Sequence, residues 1–395
     1  MINIKSKFDC CGCNACVQAC PKQCIVMSED YEGFLYPEVN KELCINCDLC
    51  EKVCPVSNQV ANRFPMEIYA VINENKKVCL ESSSGGVFTS FAEKVINENG
   101  LVFGAKFDSN WEVVHDHVDT CSDLSVFRGS KYLQSRIENT FLEVRFFLNK
   151  GRKVLYSGTP CQIAGLKRFL NKDYENLLTV DFVCHGVPSP KIWRSYLKQT
   201  IERRCGKQID SVSIETISFR NKCLSWKKFS FALTFSITDD AGILKIISFS
   251  EIFSKNLFMK GFLSNLYLRP SCYACPAKKL KSGSDITIGD FWGIKKVSPD
   301  FYNDKGVSLV LINSDKGYKY FKELNVTKQK SCYDDVLKGN SFIVESAHQP
   351  AERETFFREF LKGKDVESLV NDLTLSSIME IIKKITLRIK NYIVK

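Results

Sequence analysis

Cys10-Cys11-Gly12-Cys13-Asn14-Ala15-Cys16-Val17-Gln18-Ala19-Cys20-Pro21 and Cys44-Ile45-Asn46-Cys47-Asp48-Leu49-Cys50-Glu51-Lys52-Val53-Cys54-Pro55 are two copies of one pattern. Each reads C-x2-C-x2-C-x3-C-P, and the second copy follows the first by 34 residues. A 4Fe–4S cubane needs four thiolates at the corners of a compact tetrahedron. Three cysteines spaced three apart on a tight loop supply three corners, and the fourth comes from the other copy. That places Cys10, Cys13, Cys16 and Cys54 on one cluster, and Cys44, Cys47, Cys50 and Cys20 on the other. Each proline turns the chain away after the fourth cysteine. Zinc usually takes two cysteine pairs rather than two runs of four. Disulfides would need an exported chain, and the N-terminus carries no signal peptide pattern. Cys11 and Cys24 fall outside the pattern and read as small apolar fillers.

Two such runs are the signature of a two-cluster bacterial-type ferredoxin domain, here residues 1–60. The chain is therefore expected to move single electrons. Nineteen cysteines in 395 residues, without an export signal, point to metal binding in a reducing cytoplasm. No segment has the run of about 18 apolar residues that a membrane span requires. The formal net charge is +10, but no nucleic-acid motif accompanies it. An anionic cofactor and an acidic redox partner account for it equally well.

The expected fold class is α+β / α/β, an N-terminal ferredoxin-type domain followed by a mixed α/β domain. Residues 57–66 are polar, contain Pro65 and read as a linker. Residues 66–150 begin the second domain, with strands at Ile68–Ile72, Leu101–Phe107 and Val113–Val118 and a helix at Val87–Glu98. Residues 151–350 continue it. Strand–turn–helix alternation around Lys153–Leu170 and Leu177–Cys205 predicts a parallel sheet covered on both faces. Residues 351–395 read as a helical tail. Its end, Leu373–Lys395, is basic and amphipathic, a pattern that packs on its own domain more often than on a membrane surface.

Cys161 and Cys184 each fall just past the carboxyl end of an expected parallel strand, where open α/β sheets bind ligands. Cys272-Tyr273-Ala274-Cys275-Pro276 adds a C-x2-C pair. Together they are candidates for a third 4Fe–4S cluster. The alternative is two buried apolar cysteines and a zinc-binding or idle C-x2-C. Ser82, Ser83, Ser84, Gly85 and Gly86 precede the Val87–Glu98 helix and present hydroxyls and bare N–H groups at its N-terminus, an anion site by geometry and dipole. The alternative is an ordinary serine N-cap, but a cap needs only one serine, and three followed by two glycines exceed that. Arg128 and Lys131 on a glycine-bent loop form a second anion candidate. Asp290 and Trp292, at the end of an expected strand, can line a flavin ring or serve as a buried aromatic anchor. His185, beside Cys184, is a weak candidate for a catalytic or cofactor-bonding role.

The order of these motifs (the ferredoxin cysteines, SSSGG, RGSKY, SGTPCQ, CHGVPSP, C-x2-C and SDITIGDFWG) resembles the coenzyme F420 hydrogenase/dehydrogenase beta-subunit family over residues 1 to about 315. The resemblance implies FAD, an inner cluster on Cys161, Cys184, Cys272 and Cys275, and a flavin near Ser83–Gly86. It implies an iron–sulfur flavin-dependent oxidoreductase exchanging electrons between a ferredoxin-like partner and a small two-electron acceptor, a deazaflavin or another. Similar chains also occur beside surface-polysaccharide genes. The competing expectation is a subunit that only carries electrons to a partner enzyme.

Overall fold

The computed structural model describes residues 1–205, 212–238 and 244–375. The two cysteine runs form loops capped by the short helices Ala15–Ala19 and Leu49–Lys52. Between them lies an antiparallel hairpin of β1 (Ile25–Glu29) and β2 (Leu35–Val39). The 34-residue repeat persists in the backbone. Gly12 and Asn14 hold φ of 68° and 64°, and their counterparts Asn46 and Asp48 hold 53° and 58°. Left-handed backbone is unfavourable for most residues but tolerated by Gly, Asn and Asp. Such turns build the N–H-lined nests found at iron–sulfur sites.

The remaining strands are β3 (Glu67–Asn73), β4 (Leu101–Phe107), β5 (Val113–Val118), β6 (Val154–Ser157), β7 (Leu177–Phe182), β8 (Val212–Asn221), β9 (Ser230–Thr238), β10 (Leu244–Ile252), β11 (Ile286–Asp290), β12 (Ser308–Ile312) and β13 (Val326–Lys330). Eight of them make one sheet in the order β13-β3-β12-β11-β7-β6-β4-β5. The sheet is mixed, a correction to the parallel sheet expected from sequence. β4, β6, β7 and β11 run parallel, whereas β5, β12 and β13 pair antiparallel with their neighbours. The short link Asp108–Glu112 shows the reason for β5: a parallel crossover needs a dozen or more residues. β8–β10 form a separate antiparallel sheet.

Alternating residues cover the two faces of the main sheet. Val71, Val102, Leu155, Leu178, Val180 and Val310 pack beneath the helix Val87–Asn97. On the other face, Phe103, Val154, Tyr156 and Leu177 pack with the helices Thr140–Asn149 and Pro160–Leu170. The same cluster includes Cys11, Cys13, Ala15 and Val53, so the ferredoxin unit shares a core with the larger domain. The segment read as a linker is also fastened. Arg63 N–H donates to Lys279 O (3.0 Å) and Met66 N–H to Ile312 O (2.7 Å).

A buried ion pair completes the docking. Glu32, in the hairpin turn, accepts two bonds from Arg353 at the start of the helix Arg353–Leu361 (2.9 and 2.6 Å). Both side chains are under a tenth exposed. Removing one partner strands a buried charge, so Glu32→Gln is expected to lower stability by about 3–5 kcal/mol in anaerobic urea unfolding. A loss under about 1 kcal/mol would mark the pair as equivalent to a surface one. The amphipathic tail expected at Leu373–Lys395 lies outside the described residues from 376 onward.

Candidate functional site

Parallel pairing of β6 with β7 sets Ser157 opposite Val180. The turns after these strands therefore leave the same sheet edge. The first is shaped by a capping box. Thr159 caps the helix Pro160–Leu170, Gln162 bonds back to the Thr159 N–H, and Pro160 occupies the first helical position. This fixes Cys161 in the first turn. Cys184 follows β7. Cys272 and Cys275 sit in and just after a 3-10 turn at Pro270–Ala274. All four thiols line one cavity, and Cys11 from the first cysteine run joins them. The cavity wall also carries Arg269, His185 and Lys278.

The N-terminal thiols also gather in sets. Cys20 lines a pocket with Cys44, Cys47 and Cys50. Cys16 has Cys10 and Cys54 as electrostatic neighbours, and burial together with them pushes its thiol up to about 12. Cys184 is pushed up to about 12, first by burial and then by Cys161 and Cys275. Burial likewise raises Cys272 well above its ordinary value. Crowded buried thiols stay protonated unless a metal draws off the protons, which coordination does outright. Donors to sulfur are in place, with Ile2 N–H on Cys50 Sγ (3.1 Å) and Val187 N–H on Cys272 Sγ (3.4 Å). Among the described residues, no three His, Cys, Asp or Glu side chains converge as a single ion requires. A cubane spreads its thiolates over four irons, and four cysteines around one cavity are a donor set that fits it.

Cys11 and Cys24 are buried in apolar clusters, as the filler reading expects, and each also lies beside a cysteine of a ligand set. Cys11 neighbours both Cys13 and Cys161, and Cys13 together with burial raises its thiol well above the ordinary value. Cys24 Sγ lies 3.4 Å from Cys20 Sγ. Adjacent ligand-run residues Cys10 and Cys11 thus face the outer loop and the inner cavity respectively. Gly165 permits this closeness, because a Cβ there would fall 2.9 Å from Cys13 Sγ. Gly165→Ala is therefore expected to displace Cys13 and reduce bound iron, measured per chain after anaerobic purification. Full iron content would show that the helix yields instead.

Arg269 was missed in the sequence. It is fully buried. Its guanidinium donates to Cys10 O, Leu35 O and Gln134 Oε1 at 2.8 Å each, and to Cys10 Sγ at 3.5 Å. It lies over the Tyr36 ring, 4.4 Å from the centroid. Among the described residues it has no carboxylate partner. A basic residue shortly before a C-x2-C-P motif was the available signal.

The two anion candidates come together. Arg128 pairs with Glu81 (2.6 Å), and the Ser83 hydroxyl accepts from Ser130 N–H (2.6 Å). Ser84 Oγ donates to Val307 O (2.7 Å). Ser82 ends the helix Lys76–Glu81. Gly86, at φ 84°, is the N-cap of the helix Val87–Asn97, so no serine caps it. A Cβ on Gly85 would meet Val71 O at 2.5 Å, so the loop presses on the sheet edge. Lys131 Nζ donates to Arg128 O and Gly129 O and lies 5.9 Å from the Phe107 ring centroid, and burial pushes it down to about 8. Asp290 is held by Arg220 (2.7 Å) and Trp226 Nε1 (2.6 Å), while Trp292 stacks on Trp226 at 4.8 Å. His185 meets Asn265 Oδ1 (2.6 Å) and lies against Phe342.

The paired cysteine runs and the docked α/β domain mark an iron–sulfur protein. Residues 151–332 match the family described as the C-terminal part of the coenzyme F420 hydrogenase/dehydrogenase beta subunit. Residues 9–58 match the 4Fe–4S dicluster domain. The chain carries a 4Fe–4S ferredoxin-type domain ahead of a region, just under half of its length, that matches this beta-subunit family. An uncharacterized protein of Methanocaldococcus jannaschii is 25% identical over 200 residues, 42% of this chain and 54% of that protein. The match thus spans about half the length of that relative. The 7Fe ferredoxin of Hydrogenibacillus schlegelii is 40% identical over 63 residues, 16% of this chain and 74% of the ferredoxin. A chain of the F420-reducing NiFe hydrogenase complex from Methanosarcina barkeri aligns with a TM-score of 0.43 at 16% identity, over 71% of this chain and 87% of that one. No helix among the described residues is long and apolar enough to cross a membrane.

Proposed function

We propose that this chain is an iron–sulfur flavoprotein oxidoreductase that exchanges electrons between a small protein carrier and a two-electron acceptor. Its ligands would be the eight N-terminal cysteines for two clusters, Cys161, Cys184, Cys272 and Cys275 for a third, and the Ser82–Gly86 edge with Arg128 and Lys131 for FAD. The observation that carries this reading is the convergence of the last four cysteines on one cavity that Cys11 also lines. Bound cubanes supply one-electron transfer, and a flavin couples it to two-electron chemistry.

The residues suggest an order of contact. Cys47 is exposed, and Leu43 and Ile45 beside it are more than half exposed, so a carrier protein would meet this run first. The Cys10 run is the one joined to the inner cavity, through Cys11. Arg269 holds the loop at that junction and places a fixed positive charge there. Lys278 donates to Cys184 O (2.6 Å) and adds a second cation at the inner cysteines.

A specific observation favours a second reading, an iron–sulfur electron carrier without flavin. The hydroxyls of Ser83 and Ser84, and the polar groups of Asp290, are all engaged within the chain. Anaerobic purification with iron, sulfide and flavin measured together separates the two. FAD that is reduced by dithionite-reduced ferredoxin supports the oxidoreductase, whereas full iron without flavin supports the carrier. Colourless protein lacking flavin would end both.

A further inference from the structure

Among the described residues Asp181 is the only carboxylate on the wall of the inner cysteine cavity. It lies on β7 opposite Thr287 of β11, and both side chains are buried. A buried Asp usually has a charged partner. Here the partners are hydroxyls. Thr287 Oγ1 donates to Asp181 Oδ1 (2.5 Å), and the hydroxyls of Ser282 and Ser284 also bond the carboxylate. Burial outweighs these bonds and the charge of Lys167, so the carboxyl is pushed up to about 6. Asp285, just before β11, is held differently. It accepts from Thr179 N–H (2.9 Å), Thr179 Oγ1 (2.7 Å) and Ser314 Oγ (2.7 Å), with Lys316 Nζ 3.9 Å away. The other titratable groups facing Asp181 are those of the cavity wall: the cysteines, His185, Arg269 and Lys278.

The hydroxyls form a line that leads away from the cavity. Ser282 Oγ donates to Ser284 Oγ (3.3 Å), and Ser284 Oγ lies 3.3 Å from Thr287 Oγ1. Asn313 Nδ2 donates to Ser284 Oγ (3.3 Å) and Thr287 Oγ1 (2.9 Å). With those oxygens accepting from Asn313, their own O–H bonds are left to point toward Asp181. Ser282, at the far end, lines a cleft of about 390 Å³ between residues 55–60, the helix Pro160–Leu170 and the loop 276–283. A hydroxyl both donates and accepts, so a file of them can hand a proton along by successive exchange.

We propose that Asp181 takes up a proton each time the inner cysteine site is reduced, and that Ser282, Ser284 and Thr287 carry that proton in from the cleft. The inference rests on the reading of Cys161, Cys184, Cys272 and Cys275 as a redox site. The electron comes from the carrier protein by way of the N-terminal cysteine sets, and the proton comes from solvent water. The carboxylate becomes a carboxylic acid as the inner site gains one negative charge, so the net charge of the cavity is unchanged. On reoxidation the proton leaves along the same hydroxyls. Uncompensated charge in a buried site is unfavourable, and this exchange removes it.

The test is anaerobic redox titration of the full-length protein from acid to alkaline pH, with iron counted on the same preparation. The cluster to follow is the one whose signal the Cys272→Ser/Cys275→Ser variant lacks. Its reduction equilibrium is expected to be flat below about pH 6. Above that it should shift tenfold per pH unit, about 59 mV for a one-electron couple. Asp181→Asn is expected to hold the acid plateau at every pH, because the amide stands in for the protonated acid. Thr287→Val removes a donor to the carboxylate, so its plateau should extend to higher pH, and it guards against misfolding of the first variant. Infrared difference spectra should show a carboxylic acid C=O band that appears on reduction and is absent in Asp181→Asn. A pH-independent potential in the iron-replete unaltered protein overturns the proposal. So does a slope that survives in iron-replete Asp181→Asn, or a plateau that ends at the same pH in Thr287→Val. Iron of about eight per chain instead of about twelve overturns it together with the inner-cluster reading, which tells the two failures apart.

Discussion

Replacing Cys272 and Cys275 together by serine is expected to lower iron from about twelve to about eight per chain, with acid-labile sulfide falling in step. The double variant leaves Cys161, Cys184 and the neighbouring Cys11 on the cavity wall, one thiolate short of the four a cubane takes. The N-terminal runs are untouched, so their electron paramagnetic resonance signals should persist. A single Cys161→Ser is a weaker test, because Cys11 lies against Cys161 and offers a spare thiolate in the same cavity. Pairing it with Cys11→Ser is expected to reproduce the loss of about four irons. A Cys272→Ser/Cys275→Ser protein that keeps its full iron would remove the inner site from the scheme.

How far the sequence could be read differs by level. The eight N-terminal cysteines declare their grouping because ligand spacing on a tight loop is a local constraint. The left-handed Gly12, Asn14, Asn46 and Asp48 are its backbone counterpart. The inner set was partly legible, since strand–turn–helix alternation places Cys161 and Cys184 at one sheet edge. Joining Cys272 and Cys275 to them depends on how a distant 3-10 turn packs, which no local pattern encodes. Sheet polarity was misjudged for a similar reason: alternation suggests crossovers, but β5, β12 and β13 return antiparallel. Cys11 has no place in the ferredoxin pattern, and only docking brings it to Cys161. Arg269 offered no signal beyond its place just before the C-x2-C-P pair. Its partners, Cys10, Leu35 and Gln134, lie more than a hundred residues away.

Arg269→Met is expected to shift the potentials of the clusters nearest it to more negative values and to destabilise the docked ferredoxin unit. A guanidinium buried without a carboxylate partner needs a counter-charge, and the anionic thiolate sets on either side are the groups positioned to give it. Reduction adds negative charge there. A unit charge at 4 Å acts with about 4 kcal/mol at an effective dielectric constant of 20, so removing the cation disfavours the reduced state. The same change orphans the carbonyls of Cys10 and Leu35, each unsatisfied group costing about 1–3 kcal/mol. Arg269→Lys separates the two effects. Lysine keeps the charge but cannot span three acceptors with a planar fork. It should therefore lose stability in urea unfolding while holding its potentials near those of the unaltered protein. Potentials that stay in place in an iron-replete Arg269→Met protein, followed by anaerobic redox titration, would show that the buried charge serves only to fasten the loop.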